Sequence, residues 1–247
     1  MFNNIPKSVK NYLSEYHYKI ELHAHTSPCS ACSCIPAAEL PQLMQEQHYD
    51  AVVIVNHFTP DSHVMKEQDP VGVYLEDFRI AKEEGKRRGV QVLLGAEYRF
   101  TENMNDYLVY GVDEAFLRET ANHLDMGIEE FYRKYHCQSR LIIQAHPFRD
   151  GMTLANPECL DGIETMNMHP GHNSRVSIAT RYASEKKFPV VTIGTDLHHF
   201  GHEGLSALRT RVLPENEMQL VEILRSGDYL FEIDGCPMLP HLHFDSL

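Results

Sequence analysis

AVVIVNH, residues 51–57, reads as a short strand that ends in a histidine. Its near-continuous apolar run suits a strand buried on both faces, as in a parallel sheet covered by helices. Working outward, similar runs recur at KIELHAH (19–25), VQVLLGAEYRF (90–100), DYLVYGV (106–112), LIIQAHPF (141–148), GIETMN (162–167) and VVTIGTD (190–196). Between several of them lie stretches of helical character at 36–47, 75–88, 127–136, 174–187 and 215–226; in the second, Leu75, Phe78 and Ala81 recur at helical spacing. Strands alternating with helices imply parallel strands, and seven of them fit a closed or nearly closed α/β barrel better than a short open sheet.

Further along, EAFLRET (114–120) and EEFYRKYH (129–136) read as surface or lid helices, and SGDYLFEIDG (226–235) as a last strand closing the sheet. No repeat, low-complexity tract or Gly/Ser linker divides the chain, so residues 1–247 are expected to form a single domain.

Composition narrows the function classes. At 43% hydrophobic residues the chain can fill a sizeable core and is not disordered as a whole. The 22 basic and 35 acidic residues give a net charge of -13, with no basic run longer than Lys86–Arg88, which argues against long nucleic acid as a ligand. No apolar run approaches the roughly 18 residues of a membrane span, and the start MFNNIPKSVKNYLSEY lacks a signal-like stretch, so no membrane association and a cytoplasmic location are expected. Six cysteines are too few for a disulfide scaffold, and reduced thiols are expected. Cys29, Cys32 and Cys34 form C-x2-C-x-C without a well-spaced fourth ligand, and read as small loop residues beside an active site.

The sixteen histidines are the informative excess. Almost every candidate strand ends in a metal-capable side chain: His23 and His25, His57, Glu97, His146, Glu164, then Asp196 with His198. In a parallel barrel the strand C-termini converge on one face, so these residues would surround one pocket. His23 and His25 are two apart, which on a strand turns both imidazoles to the same side. Glu97 closes a buried run and needs a compensating cation; Pro147 after His146 favours a strand-to-loop transition there. Each feature alone has an ordinary explanation, but agreement at six strand ends points to a metal site. A second H-x-H, His241 and His243, lies in a Pro-flanked tail and reads as incidental.

At these positions the sequence resembles a known family. ELHAHTS, IVNH, LLGAE, QAHPF and GTDLH match, in order and spacing, the motifs of the PHP (polymerase and histidinol phosphatase) superfamily over roughly residues 19–205. The resemblance implies a distorted (β/α)7 barrel with two or three divalent metal ions and phosphoesterase activity. By motif, His23, His25, Glu97 and Asp196 would hold one ion; Glu97 would bridge to a second with His146; His57 and His198 would hold a third. An imidazole and carboxylate set independently suits Zn, Mn or Fe.

The chain departs from that pattern at three places. Where full three-metal members carry another histidine it has Pro28-Cys29-Ser30-Ala31, and after the glutamate motif it has Asn105-Asp106-Tyr107, where Asp106 or a water would substitute. Asn56 stands where other members place an aspartate before the middle histidine.

The expected function is hydrolysis of a small phosphomonoester (a nucleotide, histidinol phosphate or sugar phosphate) by a metal-bound hydroxide, with Asp196, His198 and Glu97 at the catalytic centre. Arg149 and Arg175 are candidate phosphate grips, and His169, His172, His199 and His202 would rim the same face as candidate substrate contacts or proton donors. Alternatives are a phosphodiesterase or 3'-5' exonuclease on short oligonucleotides, with Phe58, Tyr98, Phe148 and Phe200 as stacking aromatics, and a non-catalytic metal-binding regulatory module. A carbon-centred hydrolase, as in amidohydrolase barrels, is a further possibility by analogy of architecture.

Overall fold

The structure, a computed structural model, describes residues 14–240, so His241 and His243 lie outside the described residues. In chain order the strands are β1 (Tyr18–Ala24), β2 (Ala51–Ile54), β3 (His57–Phe58), β4 (Gln91–Arg99), β5 (Asp106–Tyr110), β6 (Leu141–Gln144), β7 (Gly162–Asn167), β8 (Val190–Gly194), β9 (Ser206–Thr210), β10 (Tyr229–Ile233) and β11 (Cys236–Met238). The helices are α1 (Leu40–Glu46), α2 (Pro70–Arg88), α3 (Glu114–Thr120), α4 (Ile128–Tyr135), α5 (Val176–Lys186) and α6 (Glu217–Ser226).

The result is a mixed α/β fold built on one curled, half-barrel sheet. Its strand order is β11-β10-β9-β1-β2-β4-β5-β6-β7-β8, with β3 pairing β4 beside this path. Pairing is parallel for β1/β2, β2/β4, β3/β4, β6/β7 and β7/β8. It is antiparallel for β4/β5, β5/β6 and the β1/β9/β10/β11 edge. The sheet curls far enough that the chain after β8 returns to the end of β1, where Leu197 O accepts from His25 N and Leu197 N donates to His23 O, both at 2.9 Å.

The sevenfold parallel repeat expected from the sequence is therefore replaced by a mixed sheet, for a local reason. Only residues 100–105 separate β4 from β5, too few for the dozen or more that a parallel crossover requires, so β5 turns back antiparallel. The 226–235 segment does enter the sheet, as β10, but against β9, which sequence reading passed over.

Local sequence explains the elements that frame the site. In β2 every residue is buried, and alternate residues feed opposite faces: Val53 joins the larger apolar cluster with Ile20, Leu93 and Leu108, while Val52 and Ile54 join a smaller one with Ile35, Leu40 and Met44. Helix α2 begins five residues earlier than its apolar spacing indicated, because Asp69 caps it by accepting from Gly72 N and Pro70 occupies the first turn. It stops at Gly89, whose φ of +74° suits a residue without Cβ, after Lys86, Arg87 and Arg88 have placed positive charge at the carbonyl end. Helices α3 and α4 are surface helices but not a lid: Phe116, Phe131 and Tyr135 are buried and pack with Tyr98 and Phe100. No helix among the described residues is long and apolar enough to cross a membrane.

Candidate metal centre

The sheet gathers the expected ligands at one end. His23 lies in β1 and His25 just beyond it; His57 in β3 is the register partner of Glu97 in β4. Because β5 runs back along β4, Asp106 becomes the register partner of Arg99 and is delivered to the same end. His146 and Asp196 follow β6 and β8 with φ of +27° and +55°, unusual for residues with a Cβ. Such backbone costs on the order of 1 kcal/mol or more and is retained where the surroundings dictate it, often at functional sites.

Three groups of ligand atoms converge: His23, His25 and Glu97; Glu97, Asp106 and His146; and His25, His57 and His198. Asp196 completes the first group, its Oδ1 lying 3.4 Å from both His23 Nε2 and His25 Nε2. Glu97 sits between all three, with Oε1 3.1 Å from His146 Nε2 and 3.4 Å from His23 Nε2, and Oε2 2.8 Å from His57 Nδ1 and 3.5 Å from His25 Nε2. Asp106 Oδ2 is 3.7 Å from His146 Nε2, so the carboxylate named as a substitute stands beside the second group. His57 is partly exposed, whereas the other six expected ligands and Asp106 are buried.

An outer ring of polar groups fixes which ring nitrogen each histidine offers. Glu164 Oε1 lies 2.8 Å from His23 Nδ1, and Glu164 Oε2 accepts from His146 N at 2.9 Å. Glu164 thus orients two ligands rather than joining them. Ser30 Oγ donates to Asn56 Oδ1 at 3.0 Å, which leaves it to accept from His25 Nδ1 at 3.3 Å and from His57 N at 3.0 Å. In His23 and His25, whose Nδ1 atoms are thus occupied, Nε2 is left with its lone pair directed inward. Asn56 itself binds Thr26 and Ser30 and so braces the 25–36 loop; it does not contact the His57 ring.

The charge pattern shows what the cluster lacks. Burial disfavours the charged forms throughout, yet Glu97 and Asp196 stay well below the usual carboxylate range because His23, with His57 or His172, faces them. Against burial, Glu97 and Cys32 push His57 up to about 10, and Asp196 and Cys32 do the same for His198. His25 falls well below its ordinary value through burial and the neighbouring His198 and His57. Even so, His23 Nε2 and His25 Nε2 are buried without a hydrogen-bond partner, and His57 Nδ1 and Glu97 Oε2 are buried and meet only as an ion pair at 2.8 Å. Buried polar atoms are ordinarily paired, and here the orphans are all donor atoms aimed at shared points. The residues present fit bound divalent cations.

Other expected residues are placed more variously. Arg149 Nη2 lies 3.2 Å from Asp106 Oδ2, at the edge of the cluster. Arg175 is committed elsewhere, donating to Phe148 O at 2.7 Å and to Asp150 Oδ1 at 2.5 Å, which does not match a phosphate grip at the metal groups. His172 Nδ1 is 3.6 Å from Asp196 Oδ2 and its ring stacks on His169 at 3.9 Å; His199 and His202 continue this rim. Phe58 and Tyr98 are buried in the core and cannot stack on bases, Phe148 is partly buried, and Phe200 is exposed.

Sequence reading placed Cys32 in a loop beside an active site without giving it a contact, and missed Arg99 and Lys66. Cys32 Sγ lies 3.2 Å from His57 Nε2. Arg99 binds Asp106 through two nitrogens, at 2.8 and 2.9 Å. Lys66 projects from the wall of a cavity of about 380 Å3 that Cys32, His57, His63 and Arg99 also line. The only hint in the chain was that Arg99 and Asp106 flank a short connection.

No family model and no curated relative matches the sequence. Solved structures do. A two-domain protein from Bacteroides vulgatus containing a predicted PHP-like metal-dependent phosphoesterase matches with a TM-score of 0.60 at 15% identity, over 87% of this chain and 64% of that one. This chain therefore spans under two thirds of that protein's length. PsfC from Pseudomonas syringae matches with a TM-score of 0.61 at 16% identity, over 87% of this chain and 91% of that one. An amidohydrolase from Chromobacterium violaceum, solved with bound sulfate and no metal, matches with a TM-score of 0.50 at 13% identity, over 74% and 89%. At these identities the likeness is one of fold. The fold is thus similar to that of a protein described as containing a predicted PHP-like metal-dependent phosphoesterase, and the five sequence motifs resemble the same superfamily.

Proposed function

We propose that the protein is a metal-dependent phosphoesterase that hydrolyses a small phosphomonoester, such as a nucleotide, histidinol phosphate or sugar phosphate, using two or three divalent ions (Zn, Mn or Fe). The observation that carries this reading is the pair of buried ligand atoms, His23 Nε2 and His25 Nε2, without a hydrogen-bond partner. His23, His25, Glu97 and Asp196 would hold one ion, Glu97, Asp106 and His146 a second, and His57 and His198 a third. Bound there, such ions supply Lewis acidity toward a phosphoryl oxygen and acidify water to a pKa of about 7.

The chain's own residues do the positioning. Glu97 and Asp196 would offset the charge of bound ions, Glu97 reaching His23, His25, His57 and His146 and Asp196 reaching His23, His25 and His198. The cavity of about 380 Å3 beside His57 is of a size for a small ligand. Lys66, exposed on its wall, has no acidic partner among the described residues and suits an anionic substrate, and Arg149 at the cluster edge suits a phosphoryl oxygen. Burial and the adjacent His172 and His198 lower His169 to about 4 against the pull of Asp196. Of the rim histidines, His172 lies between His169 and Asp196 and is our candidate for protonating the leaving oxygen.

The test compares p-nitrophenyl phosphate with its bis-ester, using the Mn-loaded and Zn-loaded protein and Asp196→Asn as control. Monoester cleavage lowered about 100-fold or more in the control is the expected result. Diester cleavage alone would move the exonuclease reading forward. Amide or lactone cleavage with neither phosphoester turned over would favour the amidohydrolase chemistry, and bound metal with no turnover of any of these the regulatory module.

A further inference from the structure

Alternate side chains of a strand point to the same side, so in β1 Glu21 shares a side with the ligand His23 two residues on. Glu21 is buried, and its carboxylate is filled by neighbours. Oε1 accepts from His23 N at 2.8 Å and from Thr195 N at 3.0 Å, and Oε2 accepts from Thr195 Oγ1 at 2.5 Å. Thr195 Oγ1 in turn lies 2.9 Å from Ser206 Oγ. With both oxygens bonded, Glu21 is not itself an ion ligand. What it grips is the residue before Asp196.

We propose that Glu21 is a positioning residue that, by holding Thr195, fixes the turn presenting Asp196 to the ion of His23, His25 and Glu97. The inference rests on the metal-centre part of the proposed function and is independent of the reaction catalysed.

Two observations carry it together. The first is how β8 meets β1. Among the described residues no ladder joins them, since β1 pairs with β2 and β9 and β8 pairs with β7. Across that gap Leu197, just after Asp196, bonds His23 O and His25 N at 2.9 Å each, and the Glu21 carboxylate bonds Thr195, just before it. Asp196 is therefore clamped on both sides by the segment that carries His23 and His25. The second is the backbone of Asp196 itself. Its φ of +55° is adopted by a residue with a Cβ only where the surroundings dictate it, and the two flanking attachments do so. Asp196 Oδ1 then stands 3.4 Å from both His23 Nε2 and His25 Nε2.

The hydrogen bonds also say which substitutions separate position from charge. Glu21→Gln can keep all three: Oε1 still accepts from both backbone N–H groups, and the new NH2 donates to Thr195 Oγ1, whose own proton turns to Ser206 Oγ. Glu21→Ala keeps none and leaves the buried N–H groups of His23 and Thr195 without an acceptor. Glu232 supplies the control. It is a buried carboxylate in β10, bonded to Arg209 at 2.6 Å and paired with Lys19 at 3.6 Å, with no bond to any ligand.

The experiment measures zinc affinity of the full chain by competition with a chelator, zinc content by elemental analysis, and the melting temperature without metal. Glu21→Ala and Glu232→Ala should both melt lower than wild type. Only Glu21→Ala should also bind zinc about 10- to 100-fold more weakly and retain one ion fewer after dialysis, while Glu21→Gln should return to within a few-fold of wild type. Wild-type zinc affinity in Glu21→Ala overturns the proposal, and so does an equal loss in Glu21→Gln, because charge and not the held turn would then be what counts. If Glu21→Ala loses its far-ultraviolet circular dichroism, Thr195→Val takes its place: it removes only the hydroxyl donor and should weaken zinc several-fold, and unchanged affinity overturns the proposal. A wild type that binds no zinc overturns the metal-centre reading with it.

Discussion

Arg99 and Asp106 face each other across the antiparallel β4/β5 ladder, and the guanidinium grips the carboxylate through two nitrogens at 2.8 and 2.9 Å while Asp106 Oδ2 remains 3.7 Å from His146 Nε2. One carboxylate is thus shared between a structural ion pair and the second metal group. Asp106→Asn keeps the shape and removes the charge. As a ligand, its loss should weaken the second ion by about 10- to 100-fold, visible as reduced metal content after dialysis. Were Asp106 only a partner for Arg99, the melting temperature would fall and the metal content would not.

Proton release should accompany metal binding. In the ion-free protein His57 and His198 are pushed up to about 10, by Glu97 and Asp196 respectively together with Cys32, so both carry protons at pH 7.5. An ion must displace them, since only neutral imidazole coordinates. Titration calorimetry at pH 7.5 in buffers of different ionisation enthalpy should show one or more protons released per chain, and affinity should rise with pH. Stability of the ion-free protein has the opposite slope. A histidine raised from about 6.5 in the unfolded chain stabilises the fold fully below that pH and loses the contribution as pH climbs through about 10. The difference in melting temperature between loaded and ion-free protein should therefore widen from pH 6.5 to 9; a constant difference would show that these histidines are not ligands.

The seven candidate ligands stand out in the sequence because each is a polar side chain at or just beyond the end of an apolar run, and the structure brings all seven to one place. What escaped depended on direction and on non-local approach. Asp106, named from sequence only as a substitute, opens DYLVYGV rather than ending it, and the reversal of β5 turns it toward the ends of its neighbours. Ser206–Thr210 alternates too weakly for a strand signal, so the antiparallel edge was invisible before its partner β10 was seen. Phe58 and Tyr98 sit among the motifs and looked available for stacking, but β3 and β4 turn them into the core.

Glu164 is expected to be indispensable without touching an ion. Its Oε1 meets His23 Nδ1 at 2.8 Å, and its Oε2 accepts from both His146 N at 2.9 Å and Asn167 Nδ2 at 3.1 Å. Glu164→Gln preserves size but must set an amide NH2 against either the His23 ring N–H or the His146 N–H. Relief requires the His23 ring to move its proton to Nε2, the nitrogen needed for the ion. Metal affinity should drop by roughly 10- to 100-fold, with the circular dichroism unchanged; wild-type affinity would mean that Glu164 is not the group that sets the tautomer.

Gly194 controls how closely β8 approaches the ligands of β1. A Cβ built there lies 2.4 Å from His23 Cβ and 2.8 Å from Glu164 Oε1, contacts that no side chain tolerates. Gly194→Ala must displace His23, Glu164 or β8 itself, at about 1–3 kcal/mol for overpacking a tight interior. Because the displaced atoms belong to a ligand and to the carboxylate that orients it, metal affinity should fall along with the melting temperature. Gly89→Ala supplies the contrast: nothing lies within 4 Å of its Cβ, and its φ of +74° imposes backbone strain at the end of α2, away from the ligands. It should lower the melting temperature while leaving metal affinity at the wild-type value. If Gly194→Ala behaved in the same way, the spacing between β8 and His23 would have no part in holding the ion.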